Sequence, residues 1–313
     1  MDPNLDGNEA NENARASAGH KLGQLVGDWF EQFFVVPLAE RIARELALFA
    51  DHRFVKRAVR GAGKVLWTDI EGNQVDYDVV LELGGTQREV GTPVAFLECF
   101  WRRGARHSKD KARDDTGKLL PMRDFYPTAR FLGLVAAGEF TGPSRELVRS
   151  RNVDLFYVPK QKVVEAFMQH KLVMDYDDKS PESTKNVLVD EFERRLTTAA
   201  KKRAASTLTQ LIGDNAVASY VLRVKAALSA SPEEIRLIAV HSSEPIVFRS
   251  LQDAADFLDH SPQFPMCSPV ESFVYEITYS DGSEFSRSCG SLAELRQLHS
   301  QMVMLAEHMR KML

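Results

Sequence analysis

The chain has 313 residues, of which 44% are hydrophobic and 27% are charged, with 44 Asp and Glu against 40 Lys and Arg. This composition is typical of a globular protein and excludes collagen, a disulfide scaffold and wholesale disorder, while the length predicts about two domains. The net charge of -4 argues at first sight against a polyanionic partner.

Targeting and redox signals predict a cytoplasmic protein. The N-terminal residues lack the apolar segment of a signal peptide, and no apolar run approaches the roughly 18 residues that would cross a membrane. The three cysteines, Cys99, Cys267 and Cys289, lie far apart without a CxxC pair, which is typical of reduced thiols.

The first half of the chain predicts an α/β sandwich over residues 20–178. Polar residues 1–19 predict a disordered leader. A helix follows over 22–50, broken at Pro37, and then a hairpin of two strands, 64–70 and 74–83. A nearly continuous apolar strand over 94–101 is typical of the middle of a sheet. The remaining predicted elements are a basic helix reaching 120, a strand over 128–137, a helix over 144–151, a strand over 153–158 and a helix over 160–170.

The second half predicts a helical arm and a small α+β module. The arm, residues 179–230, contains two predicted helices over 182–202 and 208–228. The module, residues 231–313, has strands over 235–240 and 245–249, a helix over 251–260, and a hairpin turning at Asp281-Gly282. Its last helix begins at Ser291, where Glu294 completes a capping box. The apolar stripe of this helix either packs on its own hairpin or forms a dimer seam.

Acidic residues on two predicted strands are the candidates for chemistry. Asp76, Asp78 and Glu82 share one face of the strand 74–83, and we expect Asp76 and Glu82 on a solvated face. Asp78 stands where the strand enters the core, so its carboxylate requires a cation. Glu98 interrupts an apolar strand and either pairs with an arginine or binds a metal. Carboxylates on adjacent strands suit a hard divalent cation such as Mg²⁺.

A basic segment follows Glu98 directly. Residues 102–113 contain six bases and one acid, a local charge of +5 that the chain total conceals. Such a segment is either a solvated helix face or a surface that contacts a phosphate backbone. The six bases are Arg102, Arg103, Arg106, Lys109, Lys111 and Arg113.

Residues 22–171 resemble the PD-(D/E)xK nuclease superfamily. The resemblance rests on the order of the predicted elements, on the acids Asp78 and Glu98, and on the segments 96–103 (FLECFWRR) and 107–113 (HSKDKAR). The resemblance implies a restriction-endonuclease-like fold in which Asp78 and Glu98 bind Mg²⁺, or Mn²⁺ in its place, and Glu40 or Glu45 assists. It implies a DNA endonuclease of restriction or antiviral-defence type, acting as a homodimer. The C-terminal module would supply target recognition, dimer contacts or a surface for a partner protein.

The sequence departs from this family at one position. The family's lysine lies two residues after the second acid, where this chain has Phe100. Either the role of that lysine has moved to Lys109 or Lys111, or the site is inactive and the domain binds DNA or serves in assembly. An active enzyme without such a lysine is a further alternative. In the active case Arg102, Arg103, Arg106 and Arg113 would hold the DNA backbone. A different interpretation, without a nuclease site, is an α/β protein whose Glu98 pairs with an internal arginine.

Overall fold

The computed structural model describes residues 17–61, 63–240, 244–260, 264 and 272–312. The elements of the first half are α1 (Ala18–Phe30), a π-helical turn (Glu31–Val35), α2 (Val36–Glu45), β1 (Phe49–His52), β2 (Leu66–Thr68), β3 (Gln74–Asp76), β4 (Val79–Leu83), β5 (Thr92–Arg102), α3 (Ser108–Phe125), β6 (Phe131–Gly138), α4 (Gly142–Ser150), β7 (Asp154–Pro159) and α5 (Lys160–Met168). Those of the second half are α6 (Glu182–Arg195), α7 (Thr198–Ile212), α8 (Asp214–Ser229), β8 (Pro232–Ala239), β9 (Ile246–Phe248), α9 (Leu251–Asp259), β10 (Phe273–Tyr279), β11 (Glu284–Cys289) and α10 (Leu292–Met312).

A mixed five-stranded sheet lies at the centre of the first half, with the strand order β1-β4-β5-β6-β7. Strand β4 is antiparallel to β1 and β5, whereas β6 is parallel to both β5 and β7. One face packs on α3 and α4, and the other on α1, α2, α5 and the later helices. The predicted α/β class and the central position of β5 are therefore confirmed.

The first helix differs from its prediction at both ends. It begins at Ala18, so the predicted leader is too long by two residues, and residues 1–16 lie outside the described part of the chain. Pro37 does not break the helix, because it lies where the hydrogen-bond ladder passes from the π-helical turn to α2. The helix ends at Glu45. Ala47, with a φ of 49°, then turns the chain toward β1.

The prediction of one strand over residues 74–83 is wrong. Strand β3 pairs with β2 in a separate two-stranded sheet, whereas β4 belongs to the main sheet. The break falls at Tyr77 and Asp78. Asp78 therefore stands at the entry to the main sheet, next to β5, and is only partly buried.

The expectation that Glu82 is solvated is also wrong, because its carboxylate is fully buried. Arg57 donates to both of its oxygens, at 2.6 and 3.1 Å, and also donates at 2.7 Å to Asp51. Arg60 pairs with the same Asp51 at 2.9 Å. These two arginines supply the compensation that buried carboxylates require. Asp76 is exposed as expected.

The predicted two-helix arm consists of three helices that pack on the sheet. A break at Leu196 and Thr197 separates α6 from α7, and Gly213, with a φ of 94°, separates α7 from α8. Phe192 and Tyr220 are buried in the same hydrophobic cluster as α1. The helices after residue 178 thus complete the core of the first half, and the domain boundary there stays a prediction.

The C-terminal module is a four-stranded antiparallel sheet, in the order β11-β10-β8-β9, packed against α9 and α10. The predicted capping box is confirmed in part: Ser291 Oγ accepts from the N–H of Glu294, but the Glu294 carboxylate accepts from the N–H of Gly290, one residue before the expected donor. The apolar stripe of α10 packs on its own hairpin and, at Leu305 and Met309, on the main core. The stripe is therefore buried within one copy of the chain.

Two further sequence expectations concern thiols and membranes. Cys99 and Cys289 are free thiols, and Cys267 lies outside the described residues. No helix in the described ranges is long and apolar enough to cross a membrane.

Candidate active site

Glu98 lies in the middle of β5 with its carboxylate turned toward α3. The side chain is 3% exposed, and Lys118 Nζ donates to Oε2 at 2.8 Å. The second oxygen, Oε1, is buried without a hydrogen-bond partner. Burial and the charge of Asp78 raise the pKa of Glu98 to about 8, because they outweigh the opposing effect of Lys118. Of the two sequence alternatives for Glu98, pairing with an internal arginine is wrong, since its partner is a lysine from α3.

Asp78 lies beside β5 and influences carboxyl groups on both faces of the sheet. One carboxylate oxygen, Oδ2, accepts from the backbone N–H of Cys99 at 2.7 Å, which fixes the carboxylate against β5. Ligand atoms of Asp78, Cys99 and Glu31 all lie within 4.8 Å of one another. The charge of Asp78 also raises the pKa values of Glu31 and Glu98. Asp78 is thus electrostatically coupled to carboxylates on either side of β5.

Glu31 is a member of this cluster that the sequence did not predict. It is 7% exposed and lies in the π-helical turn, where its carbonyl accepts from the N–H of Val36 five residues later. Arg53 donates to its Oε2 at 2.6 Å, and Oε1 is buried without a partner. Burial and the charge of Asp78 raise the pKa of Glu31 to about 7. The sequence feature that could have indicated a buried Glu31 is its position as an acid between Trp29-Phe30 and Phe33-Phe34.

The first-helix glutamates named from the sequence lie elsewhere. Glu45 is half exposed and accepts from Arg41 at 2.9 Å. Glu40 lies 3.5 Å from the Nε2 atom of His52. The prediction that one of them joins Asp78 and Glu98 is wrong, because the helix turns Glu31 toward the sheet instead.

Lys118 is the lysine that contacts Glu98, and it is not one of the two lysines that the sequence predicts for this role. Lys111, Asp115 and Lys118 follow one another at intervals of four and three residues, so they share a face of α3. Lys111 donates to Asp115 at 2.6 Å, and Asp115 Oδ2 is buried without a partner. Lys109 is exposed on another face of the helix. Of the two lysines named in advance, Lys111 reaches this side of α3 and Lys109 does not.

Phe100, two residues after Glu98, is a core residue. It is 8% exposed and packs edge-on against Phe140, with ring centroids 5.2 Å apart. Its ring also lies 5.8 Å from Lys111 Nζ. The position therefore contributes packing, and a cationic group comes from α3.

The arginines of the basic segment divide into two groups. Arg106 and Arg113 are exposed at the start of α3, and Arg102 is partly buried at the end of β5. Arg103 instead forms ion pairs with Asp175 and Asp178 and stacks on Tyr176 at 4.1 Å. Arg103 thus joins the end of β5 to the segment before α6.

The site combines buried carboxylates with lysines in a small volume. Glu31, Glu98 and Asp115 each have one buried oxygen that no group of the described chain satisfies. Leaving such oxygens unpaired is costly, and a bound cation would supply the missing partner. Among the described residues, the atoms of Glu31, Asp78 and Cys99 are close enough together to share an ion, and Glu98 is linked to Asp78 through the effect of the Asp78 charge on its pKa.

Comparisons with known proteins do not identify a family. No protein-family model and no curated protein matches the sequence. The crystal structure of a protein of unknown function, AF1548, is similar at 12% identity over 59% of this chain and 98% of that chain. Its TM-score of 0.28 is too low for a conclusion about fold or function.

Proposed function

We propose that the chain is a metal-dependent nuclease on a restriction-endonuclease-like α/β sandwich, in which Lys118 replaces the lysine that is absent at position 100. One observation carries this proposal. Lys118 Nζ lies 2.8 Å from Oε2 of Glu98, while Oε1 of the same carboxylate is buried and unpartnered. A carboxylate in this state can bind a cation and a lysine together, and both positive groups would stabilise the charge that develops in phosphodiester hydrolysis.

The residues present fit a hard divalent cation. Mg²⁺ prefers carboxylate and water oxygens, and Asp78 and Glu98 would hold it, with Mn²⁺ able to substitute. The free Oε1 of Glu98 supports this assignment, because it lacks any other buried partner. Such an ion lowers the pKa of a bound water and neutralises charge on the phosphate.

Lys118 supplies a positive charge at the same place. Burial opposes its charge, but Glu98 and Asp78 raise the pKa of Lys118 above its ordinary value, so the side chain stays an ammonium. Its remaining N–H groups would donate to the attacking water or to a phosphate oxygen. Tyr77 holds the helix at this point, because its hydroxyl donates to the carbonyl of Lys118 at 2.7 Å.

The substrate we propose is DNA, cut as in restriction or antiviral defence. The exposed Arg106 and Arg113, with Arg102, form a basic surface at the start of α3 that suits phosphate contacts. Arg103 is engaged in ion pairs and is a weaker candidate than the sequence implied. We place the protein in the cytoplasm, as a homodimer that offers one site to each strand of a duplex, with the C-terminal module for recognition or a partner protein.

The test is cleavage of supercoiled and linear DNA in Mg²⁺ or Mn²⁺ by the full chain and three variants. Glu98→Gln, Asp78→Asn and Lys118→Met should each reduce cleavage at least about a hundredfold, in line with the usual effect of losing a catalytic group. Lys109→Met is the matched control, because it removes an exposed lysine of the same helix. Full activity of Lys118→Met would refute the role of Lys118.

A second candidate is a DNA-binding or assembly protein without catalytic activity. The observation that favours it is Phe100, which is packed into the core where the family has its lysine. In this case no variant changes cleavage because the wild type has none. Salt-sensitive DNA binding would remain, and Arg106→Ala with Arg113→Ala would weaken it.

A further inference from the structure

A thiol lies beside the acidic cluster on the face of the sheet opposite to Lys118. Successive side chains of a strand point to opposite faces, so Cys99 is turned away from Glu98 and toward α1. It packs against the cluster that contains the buried residues of α1. There the Sγ of Cys99 and carboxylate oxygens of Asp78 and Glu31 lie within 4.8 Å of one another. Small side-chain movements would bring these three atoms to one ion.

Each carboxylate of this trio is oriented by a hydrogen bond to one of its oxygens. Asp78 uses Oδ2 to accept from the backbone N–H of Cys99. Glu31 uses Oε2 to accept from Arg53, and its Oε1 is buried without a partner. The second oxygens are therefore oriented by bonds to the first, an arrangement typical of metal ligands.

Incompletely compensated buried carboxyls extend from this trio to the opposite face of β5. Glu98, on the adjoining position of β5, is 2% exposed and also has an unpartnered oxygen. Its charge, like that of Glu31, is coupled to Asp78. Arg53, which also pairs with Asp28, donates to only one oxygen of Glu31, and Lys118 donates to only one oxygen of Glu98. Within the described part of the chain, one oxygen of Glu31 and one of Glu98 are thus left without a partner, which costs free energy.

We propose that Glu31, Asp78 and Cys99 form a site for a thiophilic divalent transition metal such as Zn²⁺ or Co²⁺. The thiolate determines this choice, because Mg²⁺ takes oxygen ligands whereas zinc and cobalt bind sulfur, nitrogen and oxygen together. Binding forms a metal–sulfur bond while the thiol proton, and that of Glu31 where it is protonated, passes to solvent. No oxidation or reduction takes place. The site does not depend on the proposed nuclease activity, although both use Asp78.

The test is a titration of the metal-free full chain with Co²⁺, followed by the near-ultraviolet charge-transfer absorption of a cobalt–thiolate bond. We expect a band that saturates at one equivalent and disappears on addition of excess Zn²⁺. Cys99→Ser should abolish it, and Glu31→Gln and Asp78→Asn should each raise the dissociation constant at least about tenfold, in the range for lost metal-site partners. Circular dichroism shows that each variant is folded.

The matched control is Cys289→Ser, which removes the buried thiol of the C-terminal module, and Cys267→Ser accounts for the remaining cysteine. Both should keep the band. The proposal is overturned if the wild type shows no band, if Cys99→Ser retains it, or if Glu31→Gln and Asp78→Asn leave the affinity unchanged. DNA cleavage is measured separately, so absence of cleavage with an intact band would refute only the nuclease.

Discussion

Replacing Glu98 by glutamine should change how the stability of the metal-free protein depends on pH. Burial and the charge of Asp78 raise the pKa of this carboxyl from 4.5 to about 8. Between these values the folded protein keeps a proton that the unfolded chain releases, so stability falls as the pH rises through the window. At about 1.4 kcal/mol per pKa unit, the loss approaches about 5 kcal/mol at pH 9.

Glutamine has no proton to exchange and removes this contribution. Glu98→Gln and the wild type should have similar free energies of unfolding near pH 5, and the variant should become more stable by several kcal/mol near pH 9. Urea unfolding with a chelator present measures both profiles. Glu45→Gln, which changes the same charge at a half-exposed position, should follow the wild type. Parallel wild-type and Glu98→Gln profiles would show that Glu98 is not a buried, protonated carboxyl.

Three other perturbations test separate parts of the structure. Millimolar Mg²⁺ at pH 8 should raise the unfolding temperature of the wild type but not of Asp78→Asn, and an equal rise in both would contradict the metal site. Arg57→Met should lower the free energy of unfolding by about 3–5 kcal/mol, because it leaves the buried carboxylate of Glu82 without its cation, whereas Asp51 keeps Arg60. The exposed Arg41→Met should cost under about 0.5 kcal/mol, and similar losses in the two variants would contradict the prediction. Gly138→Ala should cost at least about 2 kcal/mol in thermal unfolding, because the φ of 103° is strained for alanine and its Cβ would overlap a backbone carbonyl of β5. Gly142→Ala, which meets open space, should be nearly neutral.

The sequence predicted those site residues whose unusual setting is local. Glu98 stands out because it interrupts an apolar run, and Asp78 because it precedes one. Both signals are visible within a few residues. The class of fold followed in the same way, from the alternation of apolar strands with amphipathic helices.

The residues that sequence missed depend on contacts between distant segments. Lys118 meets a carboxylate 20 residues away, and only the rotational phase of α3 determines that it, rather than Lys109, faces β5. Glu31 became buried through the five-residue hydrogen bond of a π-helical turn, which hydrophobic periodicity does not predict. Glu82 likewise has a partner, Arg57, whose loop position carries no pattern in the sequence.

Helix α3 is attached to the rest of the protein at points that have different roles. Arg106 lies two residues before the helix and Arg113 lies in its second turn. Further along, Lys118 contacts Glu98, and the carbonyl of Phe125 accepts from Arg287 of the C-terminal module at 2.7 Å. An 18-residue helix is about 27 Å long. Helix α3 therefore connects three parts of the protein: the basic residues at its start, the buried Glu98 in the central sheet, and the C-terminal module at its end.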